Sequence, residues 1–66
     1  MSTFLERLKE EEKELATKAI KLSEFISTDA YQELSDGNQY LLQKQLEVMA
    51  EYVNILGTRV ELNINN

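Results

Sequence analysis

Residues 41–62, LLQKQLEVMAEYVNILGTRVEL, decide the fold of this 66-residue chain. Within this stretch apolar residues recur at alternating steps of three and four, a spacing that places them along one side of an α-helix. The residues of this line are Leu42, Leu46, Met49, Val53, Leu56 and Val60. Because such a side must be buried, the stretch predicts a second helix packed against it.

The same spacing recurs in the first 26 residues, where the partner helix is predicted. Its apolar line comprises Leu5, Leu8, Leu15, Ala19, Leu22 and Ile26, with Glu12 at the one charged position. The run is rich in the helix formers Glu, Lys, Leu and Ala and contains no Gly or Pro. Two amphipathic helices in so short a chain predict an all-α fold, an antiparallel helical hairpin with a short connecting helical turn.

Capping signals set the predicted boundaries. A capping box pairs an N-cap side chain with a Glu or Gln three residues later. Thr3 with Glu6 and Asp36 with Gln39 have this spacing. The predicted segments of the single domain, residues 1–66, are a helix at 3–26, a short turn or helix at 28–34, a second helix at 36–62 and a frayed tail at 63–66.

The C-terminal end of the second helix has two interpretations. Gly57 has the residue type of a helix C-cap, and Val60, Leu62 and Ile64 alternate with polar residues as in a strand. Val60 also continues the helical line. Residues 57–64 are therefore either helical or extended, and we favour a helix to about residue 62.

A second apolar line runs along the predicted second helix. Its members are Leu41, Val48, Tyr52, Ile55 and Leu62. One partner helix cannot cover an apolar face this wide, and an exposed apolar patch favours association. The chain has no cysteine for a disulfide. We therefore predict a homo-oligomeric helix bundle, a dimer or larger, with these residues at the interface.

Composition restricts the possible functions. The formal net charge is −5, so the chain lacks the basic surface that nucleic-acid binding requires, and no sequence-specific nucleic-acid partner is expected. The absence of His and Cys removes the usual general base and the strongest nucleophile, so we predict no enzymatic activity, no metal site and no cofactor. No apolar run approaches the roughly 20 residues of a membrane span, and no signal-peptide pattern is present. The expected location is the cytoplasm, with no membrane partner.

Gln45, Tyr52 and Arg59 are spaced seven apart and form one column on the second helix. In the functional interpretation, Tyr52 offers a stacking plane and Arg59 a bidentate fork for phosphate, and an oligomer interface brings Lys18 and Lys21 into the same ligand site. In an antiparallel hairpin whose turn lies near residue 31, Arg59 is predicted to lie level with residues 7–12. In the structural interpretation, it pairs there with Glu11 or Glu12, Tyr52 packs half-buried and Gln45 forms a hydrogen bond across the interface.

The chain also resembles a known family over about residues 4–62. The more specific residues of the resemblance are polar or aromatic: Arg7, Lys21, Phe25, Gln45, Tyr52 and Arg59. They are similar to those of short phage and prophage proteins in a family named after a crAss-like bacteriophage. Gly57 and the tail at residues 63–66 depart from the family pattern. The resemblance implies a virus-encoded accessory protein that acts in the host cytoplasm, and it identifies no site residue.

Three functions follow as hypotheses. The first is an anti-defence protein that inhibits bacterial immunity as an oligomeric sponge, sequestering a nucleotide signal of the cyclic or ADP-ribose type. The second is a protein-binding module that inhibits a host defence protein directly. The third is a structural or assembly accessory of the virion.

Overall fold

The computed structural model describes residues 3–64 and contains an antiparallel helical hairpin. Its elements are α1 (Phe4–Ile26), α2 (Asp29–Gln32) and α3 (Asp36–Ile64). The two long helices pack against each other and form a rod of 47 × 20 × 14 Å. The predicted all-α hairpin with its short connecting helix is confirmed for a single chain. No helix in residues 3–64 has the length and apolar character needed to cross a membrane.

The apolar line of α1 and the first apolar line of α3 (the one containing Leu56) face the interface between the two helices. The core centres on Leu8, Leu56 and Val60, and Leu5 and Leu15 pack against it. The other members of the two lines are half-buried, because two helices alone leave the edges of their interface open to water. Glu12, the charged member of the α1 line, is also half-buried.

Tyr31 of α2 closes the turn end of the hairpin. It is buried, and its ring meets that of Phe25 edge to face, with ring centres 6.2 Å apart. The phenol donates to the carbonyl of Gln39 at 3.1 Å and accepts from Nε2 of Gln43 at 2.7 Å. Thr28 caps α2 by accepting from the amide of Tyr31 at 3.3 Å. One aromatic residue thus joins all three helices.

The predicted helix starts are correct in position, with one cap misassigned. The hydroxyl of Thr3 accepts from the amide of Glu6 at 3.1 Å, as the spacing predicts. At α3 the cap is Ser35, whose hydroxyl accepts from the amide of Asn38 at 3.2 Å. The prediction that Asp36 caps with Gln39 is therefore wrong by one residue. The Gln39 side chain instead donates to two carbonyls near the end of α2, which competes with a capping role.

The predicted C-terminal tail is partly wrong, because α3 continues to Ile64. Gly57 lies inside the helix without a positive φ, so it is not a C-cap. The side chain of Asn63 supports the extra turn by donating to the carbonyl of Arg59 at 2.7 Å. Residues 57–64 are thus helical and not extended, and residues 65–66 of the predicted tail lie outside the described residues.

Candidate functional site

An open groove lies at the end of the hairpin opposite the turn. It has a volume of about 330 Å³ and is lined by Phe4, Arg7, Leu8, Glu11 and Arg59. The first turns of α1 supply four of these residues, and α3 supplies Arg59 seven residues after Tyr52. The spacing predicts Arg59 level with residues 7–12 in the antiparallel hairpin, and in the groove it lies beside residues between 4 and 11 of α1.

Tyr52 adjoins this groove through a hydrogen bond between the two long helices. Its phenol donates to Oε1 of Glu11 at 2.9 Å while the ring stays partly exposed. The hydrogen bond and the negative charge of Glu11 raise the pKa of Tyr52 above its usual 10.0, and the nearby Arg59 partly offsets this by lowering it. The phenol therefore stays protonated at neutral pH, and its partly exposed ring lies next to Glu11 of the groove and near Arg59.

The groove is locally basic in an acidic protein. Arg7 and Arg59 line it together with one carboxylate, that of Glu11. Within residues 3–64 the ion pair found is Lys44–Glu47 at 3.6 Å, so neither arginine is held in a salt bridge. The structural interpretation, in which Arg59 pairs with Glu11 or Glu12, does not hold in this structure, because Glu11 accepts from Tyr52 instead. Both guanidinium groups keep donors free for an anion.

Lys18 and Lys21 lie apart from this groove in a single chain. They line a second open groove, of about 460 Å³, that is formed entirely by side chains of α1. Its other lining residues are Glu10, Lys13, Glu14 and Thr17. Lys18 follows Glu11 by seven residues, which is about 10 Å along a helix. The structure therefore brings Tyr52 and Arg59 together but leaves Lys18 and Lys21 separate from them.

The second apolar line of α3 is exposed along its whole length. Leu41, Val48, Tyr52, Ile55 and Leu62 are between 45% and 62% exposed. Gln45 lies between them and makes only a weak contact, from its Nε2 to Sδ of Met49 at 4.0 Å. The structural interpretation, in which Tyr52 packs half-buried, agrees with its exposure of 45% and its hydrogen bond to α1. A single chain leaves this face uncovered.

The sequence prediction of the site does not include Arg7, Phe4 and Glu11. The predicted position of Arg59, opposite residues 7–12 of the first helix, could have pointed to two of them. Arg7 is also the only other arginine of the chain. Combining the register with that residue type points to a pair of guanidinium groups at one end of the hairpin.

Comparison with known proteins identifies the family. The chain matches the model of the Sequestin family over residues 2–62, nearly its whole length. The chain belongs to the Sequestin family. The match covers both long helices and the groove, so the paired arginines and Tyr52 lie within the family domain. No curated protein and no solved structure matches the chain significantly. In residues 3–64 no group of three or more acidic side chains is assembled that would hold a metal ion.

Proposed function

We propose that this protein is a phage accessory protein that inhibits bacterial immunity by sequestering a nucleotide signal of the cyclic or ADP-ribose type. One observation carries the proposal: Arg7 and Arg59 share an open groove with Glu11, which accepts a hydrogen bond from the partly exposed Tyr52, in a chain with a net charge of −5. A basic, aromatic-edged groove in an acidic protein is suited to a small anion with a flat ring system.

Each group in the groove has a chemical task in this proposal. The two guanidinium groups donate paired hydrogen bonds to phosphate oxygens. Tyr52 stacks on the base, and Glu11 holds the phenol in place while its second carboxylate oxygen accepts from a sugar hydroxyl. The groove volume of about 330 Å³ lies at the lower end of the roughly 300–1,000 Å³ typical of ligand sites.

The family name supports a sequestering role. A protein that sequesters needs affinity and copy number, and it needs no turnover. The chain has no His or Cys to act as general base or thiol nucleophile, and the groove is too open to dehydrate a carboxylate pair. We therefore expect the bound nucleotide to be recovered unchanged after release.

Isothermal titration calorimetry tests the proposal. The purified protein is titrated with cyclic dinucleotides, cyclic trinucleotides, ADP-ribose and cyclic ADP-ribose. We expect at least one of these to bind, and Arg59→Ala to weaken it about tenfold to a hundredfold, since a charge-assisted hydrogen bond contributes about 1.5–3 kcal/mol. Arg7→Ala is expected to have a similar effect.

Lys9→Ala is the matched control, because it removes a cation from α1 two residues from Arg7 but on the other side of the helix. It is expected to leave binding unchanged. Chromatography of the released ligand checks that it is intact. If no nucleotide of the panel gives heat with a folded sample, the sponge is excluded.

A second candidate function rests on the exposed apolar line of α3. This face has the size and spacing of a surface that packs on a helix or a groove of a host defence protein. A stoichiometric host protein retained by the wild-type chain but lost with Val48→Asp would favour this function. A Val48→Asp variant that loses nucleotide binding but still retains the host protein would not favour this function.

A further inference from the structure

One exposed stripe of α3 combines the second apolar line with the polar column. Its steps are four, three, four, three, four and three, the spacing of a helix that packs on another helix. We call it the α3 stripe, and its members are Leu41, Gln45, Val48, Tyr52, Ile55, Arg59 and Leu62. α3 therefore has two packing faces, of which α1 covers one.

The groove is incomplete in a single chain. Sites for small ligands bury most of the ligand surface, commonly about 70–90%. Here the arginines line an open groove between the end of α1 and the end of α3, with no wall opposite them. The missing wall lies on the side of the hairpin that also carries the α3 stripe, since Arg59 belongs to both. A neighbour that covers the stripe would also enclose the groove.

We propose that this neighbour is a second copy of the chain, docked antiparallel on the α3 stripe, because the stripe is complementary to itself in that orientation. The two copies together form each nucleotide site. The part of this proposal that concerns the ligand rests on the function proposed above. Arg7, Tyr52 and Arg59 of one copy form one half of the site. Gln45 and Lys18 of the second copy form the other half.

Charge determines the direction of docking. In a parallel pair, Arg59 lies level with its own symmetry mate, and two unpaired guanidinium groups meet at the seam. In an antiparallel pair whose two-fold axis passes near Tyr52, Arg59 lies level with the region around Gln45 of the second copy. The amide of Gln45 is free to accept from it, because its one contact is the weak one to Met49. Leu41 and Leu62 likewise come level with each other at the two ends.

Symmetry then places both α1 helices on one side of the α3 pair. A two-fold axis perpendicular to two antiparallel helices keeps their neighbours on the same side, whereas an axis along parallel helices puts them on opposite sides. The result is a trough with the polar column of α3 as its floor and the two α1 helices as walls. A ligand in this trough contacts both copies.

The register within one hairpin supplies the last step. Tyr52 contacts Glu11, and both helices repeat every seven residues, so Lys18 is level with Gln45 in the same chain. Lys18 of the second copy therefore lies across the trough from Arg59. This arrangement explains why a lysine on the flank of α1 is separate from Arg59 in one chain and still belongs to the site.

Cysteine crosslinking tests the docking, since the chain has no cysteine of its own. A short bismaleimide linker is added to the purified variants. Tyr52→Cys is expected to link to itself near the axis. Leu41→Cys alone is expected not to link, because two copies of residue 41 are about 30 Å apart in the antiparallel pair. A mixture of Leu41→Cys and Leu62→Cys is expected to give the mixed dimer. Self-linking of Leu41→Cys, or no link at residue 52, overturns the proposal.

Mixing of variants tests the shared site, with ADP-ribose and a 3′,3′-cyclic dinucleotide as probes. At a probe concentration near the wild-type Kd, Arg59→Ala and Lys18→Ala are each expected to bind little probe, since each weakens binding about tenfold to a hundredfold. When they are mixed and allowed to exchange, half of the dimers are mixed and one of their two sites is intact, so about one quarter of the wild-type sites return. If mixing the two variants restores no binding sites, the shared site is overturned. If neither probe binds the wild-type chain, the proposed function fails with these ligands, while crosslinking still decides the docking independently.

Discussion

At the scale of single residues, Tyr52 and Glu11 determine the chemistry of the groove. Glu11 could have formed a salt bridge with an arginine, but its Oε1 accepts a hydrogen bond from the phenol of Tyr52 at 2.9 Å. This contact fixes the aromatic ring at the rim and leaves two guanidinium groups without a salt bridge. The groove is basic because two arginines line it with one glutamate, and the hydrogen bond decides that the glutamate contacts Tyr52.

The pKa of Tyr52 provides a direct test of this hydrogen bond. The folded-state pKa is raised above the usual 10.0, mainly by the hydrogen bond to Glu11. The contribution to stability is therefore complete below pH 10 and is lost as the pH rises through the raised value. We expect Glu11→Gln to lower the pKa of Tyr52, as followed by the carbon resonance next to its hydroxyl in an NMR titration. Tyr52→Phe is expected to lose less stability than the wild type above pH 10. If Glu11→Gln leaves the pKa of Tyr52 unchanged, the hydrogen bond between the two residues is contradicted.

At the scale of elements, α3 is a continuous helix of 29 residues that includes a glycine. Gly57 faces α1 where the half-buried Glu12 approaches. A Cβ at residue 57 would lie 2.7 Å from Oε2 of Glu12. The glycine therefore allows a charged side chain to occupy the apolar line of α1, at the cost of helix propensity.

A double-mutant cycle measures this compensation. In a helix interior Ala is favoured over Gly by about 0.8–1.0 kcal/mol. We expect Gly57→Ala to give less than this gain in the wild-type chain, because the Glu12 carboxylate must move away. In a Glu12→Ala background the full gain of about 1 kcal/mol is expected. Urea unfolding followed by circular dichroism gives the free energies of unfolding, and equal gains in both backgrounds would show that Glu12 and Gly57 do not interact.

The elements were predictable from the sequence because their periodicity is strong. Every residue of the α1 apolar line and of the first α3 apolar line is buried or half-buried, and the hairpin follows from these two lines. The misassigned cap at Asp36 has a local cause, because Ser35 and Asp36 are adjacent residues that can both cap. The predicted end of α3, at about residue 62, is two residues too early, because the apolar line stops and the Asn-rich tail gives no helical signal. The side chain of Asn63 supports the additional residues, and the approach of Glu12 accounts for Gly57.

The candidate site was only partly predictable. Their spacing on one helix identifies Tyr52 and Arg59, and the length of the hairpin predicts which residues of α1 lie opposite Arg59. Whether the Glu11 carboxylate contacts Tyr52 or Arg59 depends on side-chain geometry, and residue spacing does not determine that geometry. Lys18 and Lys21 were grouped with the site by charge, but within one chain they line a different groove.

At the scale of the whole molecule, the chain has a thin core and a large exposed apolar face. Three residues form the buried cluster, and no disulfide supports it. Domains below about 70–80 residues rarely gain more than about 3–5 kcal/mol from one core, so association would contribute much of the stability. Stability should then depend on protein concentration.

Two matched substitutions test this dependence. Ile55 of the α3 stripe is 56% exposed, and Ile20 of α1 is 59% exposed. Ile20 follows Glu11 by nine residues, half a turn round α1, so it lies on the opposite side of the hairpin. We expect Ile55→Asp to yield monomers in sedimentation velocity and a melting temperature independent of concentration, while Ile20→Asp behaves like the wild type. Equal behaviour of the two variants would show that the stripe does not mediate association.

The lid formed by Tyr31 has a consequence at the far end of the rod. Aromatic packing and hydrogen bonds hold α1 and α3 together at the turn, and the buried cluster of Leu8, Leu56 and Val60 holds them near the other end. Beyond that cluster the terminal turns are exposed, with Phe4 and Leu62 more than half accessible to solvent. Arg7 and Arg59 border these exposed turns, so a phosphate bound by both would link the two terminal turns and suppress their fraying. Ligand capture and closure of the hairpin would then be one event, visible as slower amide exchange in the terminal turns.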